Sequence, residues 1–126
     1  MDPLLGILKD QDAAVRAHAA LALGSISDKR ALDPLLEALR DQSGDVRKFA
    51  AFALGLISDP KAVEPLSKVL LKDVDSKVRT AAAMALGLIK DTKALGPIIT
   101  VMRRGEPMHV GSATTFALAM FGHPVQ

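Results

Sequence analysis

The side chains able to do chemistry are few and badly placed for it. The histidines, His18, His109 and His123, lie far apart, and no pair has the spacing that sets two imidazoles on one helical turn around a metal. Cysteine is absent, which excludes disulfides, thiolate metal sites and a thiol nucleophile. Asp10 with Asp12, and Asp73 with Asp75, could form acid/base pairs, but they sit in polar turns where solvated or capping carboxylates are the plainer expectation. No phosphate-cradling glycine loop and no Gly-x-Ser-x-Gly elbow occurs. The expectation is a non-enzymatic protein with no catalytic residue, no metal and no cofactor.

What recurs instead is a helix. Val46 to Asp59, VRKFAAFALGLISD, is echoed by Val15 to Asp28, by Val78 to Asp91 and, more loosely, by Val110 to Phe121. The four Val positions are 31, 32 and 32 residues apart, and Pro3, Pro34, Pro65 and Pro97 are 31, 31 and 32 apart. A period of this size marks stacked helical units that bury their faces against neighbours. Each unit opens with a short proline helix, proline being tolerated in the first turn where its missing N–H has no partner to lose. Asp28, Asp59 and Asp91 stand six residues before the proline and should cap a tight or 3₁₀ lead-in turn.

On a wheel at about 100° per residue, with Val15 as zero, Ala19, Ala22, Leu23 and Ile26 share a sector expected to face the proline helix and the core. Ala20 and Gly24, with their equivalents Ala51 and Gly55, Ala83 and Gly87, should let successive helices approach closely; Ala119 takes the glycine's place in the fourth unit. The remaining sector should be polar on a solvated helix. It holds Leu21, Phe52, Met84 and Phe116 at about 240°, Ser25, Leu56, Leu88 and Met120 at about 280°, and His18, Phe49, Ala81 and Ala113 near 300°. The rim is more polar, with Ala14, Asp45, Lys77 and His109 on one side and Lys48 and Thr80 on the other. These apolar residues either complete the core or line a groove for a partner. One at the same angle in every unit makes a continuous stripe, which favours the groove. Phe49, Phe52, Met84 and Phe116 would then carry the contact, and Lys48, Lys77 and Asp45 would steer it.

The unit P-L-x-x-x-L…V-R-x-x-A-A-x-A-L-G-x-I-x-D resembles the HEAT-like repeat of the phycobilisome-lyase type over nearly the whole chain. The resemblance implies an all-α, right-handed α-solenoid (an alpha-alpha superhelix) of four helix-pair repeats in one domain, 1–126, at about 2–28, 31–59, 62–91 and 94–122. It also implies that the proline helices are convex and the Val-Arg helices concave. The His-Glu dipeptides of the HEAT-like di-iron hydroxylases are absent. Gly111 replaces Arg16, Arg47 and Arg79 in the fourth unit, and Gly105 replaces Asp10, Asp41 and Asp73. Acid and base vanish together, so these residues are expected to pair as a structural ladder between units. The loop Arg103 to Pro107 should be irregular and the final helix the most mobile.

Composition narrows the partner. At 49% hydrophobic but only 3% aromatic, with Ala and Leu dominant, the chain favours close-packed helices over strands. Its 16 basic and 14 acidic residues leave a net charge of +2, too little for a strong nucleic-acid or membrane field. Lys48, Lys68, Lys72, Lys77, Arg103 and Arg104 could grip a nucleic-acid backbone, but no Trp or Tyr is present to stack bases. No apolar run reaches membrane-spanning length and no leader is recognisable, which points to a cytoplasmic location. Leu4, Leu5, Ile7 and Leu8 are not all expected to find partners inside the chain, and Ala117, Met120 and Phe121 should lack a following unit, with no clear polar cap at either end. The expected function is a scaffold that binds a protein segment or a second subunit on its concave face. Handling of a bilin chromophore as an accessory or lyase-type subunit, suggested by the resemblance, or weak binding of a nucleic-acid backbone is the alternative.

Overall fold

The computed structural model describes residues 3–121, and among these every regular element is helical. Its α-helices are α1 (Pro3–Ile7), α2 (Ala13–Ile26), α3 (Leu32–Ala38), α4 (Gly44–Ile57), α5 (Val63–Lys72), α6 (Ser76–Ile89), α7 (Leu95–Arg103) and α8 (Met108–Phe121). They form four helix pairs stacked into an all-α solenoid. The even-numbered helices pack side by side along their length, while neighbouring odd-numbered helices touch sparsely. Unequal spacing of the two layers bends the stack and puts α2, α4, α6 and α8 on the inner curve.

Glycine sets the inner spacing. A Cβ on Gly24 would stand 2.5 Å from the Cα of Ala53, one on Gly55 2.7 Å from Ala85, and one on Gly87 2.8 Å from Ala117. Only hydrogen fits there, which outweighs the cost of glycine inside a helix. Ala119 makes no such contact; it faces outward from the last helix and is exposed.

Local signals shape each unit in the same way. Asp12, Ser43 and Asp75 cap α2, α4 and α6 by accepting from the backbone N–H of Ala14, Val46 and Lys77. The helices end at Ser27, Ser58 and Lys90 in the left-handed region, with φ of 58°, 61° and 59°. Asp28, Asp59 and Asp91 then accept from the N–H two residues on and open the 3₁₀ turns Lys29–Ala31, Pro60–Ala62 and Thr92–Ala94. Ala31, Ala62 and Ala94 close these turns and are fully buried. Leu23, Leu54 and Leu86 from the inner layer meet Leu35, Leu66 and Ile98 from the outer one in a continuous core.

One expectation changes. The position of Ala22 does not face the proline helix of its own unit. Its equivalents Ala53 and Ala85 lie against the inner helix of the preceding unit, and on α2 Ala22 is half-buried while Val15 and Ile26 are exposed. Leu8 and Ala117 are buried, and Leu5, Ile7 and Phe121 pack against the core. The side chain of Leu4, and His123, lie outside the described residues.

Candidate interaction face

The arginine that follows each Val reaches into the next unit. Arg16 grips Asp41 with two bonds, Nε to Oδ2 at 2.9 Å and Nη2 to Oδ1 at 3.0 Å, and its Nη1 donates to the carbonyls of Asp10 and Gln11. Arg47 does the same to Asp73 at 2.9 and 3.2 Å while donating to the carbonyls of Asp41 and Gln42. One guanidinium thus fastens the turn of its own unit to the turn of the next.

The fourth unit departs from what its sequence suggested. The base is gone at Gly111, but the acid has moved by one residue. Glu106 receives Arg79 at 2.8 Å and, on its other oxygen, Arg104 at 2.8 Å. Arg104 also donates to the carbonyl of Leu71, so this loop is held in place by ion pairs. Asp10 is not a rung. Among the described residues no guanidinium reaches its carboxylate, which accepts the N–H of Asp12. Burial pushes the carboxyl of Asp41 up, but bonds from Arg16 and the Ser43 N–H outweigh it and hold the group below the ordinary carboxylate range. The same contest between burial and two arginines holds Glu106 below its ordinary value.

The inner curve carries the apolar column. Leu21, Phe52 and Met84 are half-buried and Phe116 is 39% exposed. Beside them Leu56 is 38% exposed, Leu88 and Met120 are half-buried and Ser25 is exposed. The third column sinks along the stack, from exposed His18 through half-buried Phe49 to buried Ala81 and Ala113. His18 Nδ1 lies 2.7 Å from the carbonyl of Ala14. Lys48 sits 4.8 Å from the centre of the Phe49 ring and 4.0 Å from Asp45, so the rim charges on α4 partly satisfy one another. Lys77 is exposed, and His109 Nε2 is 2.7 Å from the Ser76 hydroxyl. Between α6 and α8 the stripe opens into a depression lined by Met84, Met108, Ala113 and Phe116. Met108, 85% exposed, was missed in the sequence because it precedes the repeated segment.

The candidate nucleic-acid grip does not assemble. Lys68 and Lys72 project from the outer helix α5, apart from Lys48 and Lys77 on the inner helices, and Arg104 is engaged with Glu106. Among the described residues no group of three or more His, Asp or Glu is placed to hold a metal ion, and no helix is long and apolar enough to cross a membrane.

A family model described as HEAT repeats matches residues 1–86 and, in a second overlapping match, 63–126. The chain belongs to the HEAT-repeat family. Among solved structures, this HEAT-repeat chain is similar to the complex of CpcE and CpcF of phycocyanin lyase from Nostoc sp. PCC7120, at 29% identity and a TM-score of 0.84 over 95% of this chain and 52% of that one. It is also similar to human deoxyhypusine hydroxylase, solved with glycerol, at 27% identity and a TM-score of 0.82 over 96% of this chain and 43% of that one. The chain therefore spans about half the length of the structures it matches. No curated protein gives a significant match.

Proposed function

We propose that this HEAT-repeat chain is a non-catalytic scaffold that docks a protein segment along its concave face. The observation that carries the reading is the column Leu21, Phe52, Met84 and Phe116, left partly open to water at the same angle in four successive units. An apolar stripe with a polar rim is characteristic of an interface, and Met beside Phe suits an adaptable one. The likeness to a complex of two chains supports a role in assembly. The test compares proteins captured from the source cell's extract by the native chain and by Phe52→Asp, with helicity and melting measured on both. The reading expects a specific partner lost in the variant while the fold survives. A variant that unfolds places Phe52 in the core and removes the groove.

The same likeness favours a second reading, in which the groove serves as an accessory surface for a bilin. Incubation with a bilin followed by visible spectroscopy separates the two: a shifted and intensified band retained through gel filtration supports the pigment, its absence the protein segment.

A further inference from the structure

The outer layer changes sign along the stack. Between α1 and α3 its groove is lined by three basic and four acidic side chains, and between α3 and α5 by two basic and one acidic. Between α5 and α7 it is lined by Lys61, Lys68 and Lys93 against Glu64 alone. The acid is lost on α7, where Gly96 stands at the place of Asp33 and Glu64 and the whole helix carries no carboxylate. Packing does not ask for that glycine, since a Cβ on it would meet nothing within 4 Å. Asp59 and Asp91 are close in sequence, but they accept the backbone N–H of Lys61 and Lys93 and do not line the groove.

These lysines are unlike the cations of the ladder. Arg16, Arg47, Arg79 and Arg104 each hold a carboxylate, whereas among the described residues none of the three lysines is ion-paired. Lys61 and Lys93 also stand just before the N-terminal ends of α5 and α7, where the helix dipole opposes a cation, so stability does not place them there. The groove has a volume of about 550 Å³, and Val63, Leu71 and Pro97 give it apolar walls. Ser67 lines it as well; the residue is buried, and its hydroxyl has no hydrogen-bond partner among the described residues.

We infer that the groove between α5 and α7 docks a short acidic segment of a partner protein, one in which carboxylates alternate with apolar side chains. The three amines meet the carboxylates, the walls take the apolar side chains, and the Ser67 hydroxyl donates to a carbonyl or carboxylate of the segment. A nucleic-acid strand matches the charge but not the walls, because no aromatic side chain lines the groove to stack a base. The site lies on the outer face, so the inference goes beyond the concave stripe and does not depend on it.

The probe is a short fluorescein-labelled peptide alternating Glu and Leu, titrated into the native chain and followed by fluorescence anisotropy. Saturable binding is expected, weakening as salt is raised. Lys61→Glu with Lys93→Glu should weaken it at least about tenfold. Lys9→Glu with Lys29→Glu, an equal change of charge at exposed sites away from the groove, should leave it nearly unchanged. Replacing Glu by Gln, or Leu by Ser, in the peptide should abolish binding. Circular dichroism checks the fold of each variant; should the groove pair not fold, Lys61→Gln with Lys93→Gln replaces it. Phe52→Asp should leave binding intact, so this inference and the concave scaffold fail separately. No saturable binding, equal loss in both lysine pairs, or tighter binding of single-stranded oligothymidylate overturns the inference. Binding lost with Phe52→Asp overturns it too, while leaving the concave scaffold standing.

Discussion

Replacing Gly55 by Ala should raise helix propensity by roughly 1 kcal/mol, yet it drives a Cβ to 2.7 Å from the backbone Cα of Ala85. Overpacking of that kind costs about 1 to 3 kcal/mol and is the larger effect, because backbone has less room to yield than a side-chain tip. Urea denaturation of Gly55→Ala should therefore show a lower midpoint. Gly96→Ala is the control: nothing lies within 4 Å, so the propensity gain stands alone and the midpoint should rise. Ser58 has the opposite problem, being an L-residue held at φ 61° where glycine is the usual cap. Ser58→Gly should stabilise by about 0.5 to 1 kcal/mol, read from the same denaturation curve.

Between elements, the arginine forks join turn to turn. Arg47 spans α4, its own turn and the carboxylate of Asp73, with both side chains largely shielded from water. Arg47→Met preserves the aliphatic stem but strands Asp73 and two carbonyls, and should cost about 2 to 4 kcal/mol. The ladder also sets the acid response. Asp41 and Glu106 are held below their ordinary values in the folded chain, so the unfolded chain binds protons first as pH falls. Their contribution is complete above the unfolded carboxylate pKa of about 4 and is lost as pH drops through the lowered folded values. Thermal midpoints should fall on acidification in that window. Asp41→Asn with Glu106→Gln should lower the midpoint at neutral pH and flatten the acid decline. An unchanged pH profile in that double variant would show that the rungs do not control it.

At the scale of the molecule, each unit touches only its neighbours, so stability is a sum of units and joints. The central helices α4 and α6 have an inner-layer neighbour on both sides, while α2 and α8 have one each. Native-state hydrogen exchange should therefore show strongest protection in α4 and α6 and weaker protection toward α1 and α8. Uniform protection would mean that the stack opens only as a whole. The Gly–Ala contacts also give the solenoid its bend, since they shorten the inner layer relative to the outer one.

Much of the fold was legible because it is written several times. The spacing of Val, Pro and Gly named the helix pairs, and Asp28, Asp59 and Asp91 announced their turns through short-range hydrogen bonds that need no distant partner. Long-range geometry was not legible. Val15 and Val46 are the same residue at the same place in the repeat, yet one is wet and the other sealed, because exposure depends on whether another unit lies alongside. Likewise Glu106 could take over a rung from one position away, since its longer side chain reaches an arginine that only the stacking brings near. By itself the order of residues settled what each helix pair would be. The tertiary structure decided which faces stay open, because burial is a property of neighbours and not of the chain that supplies them.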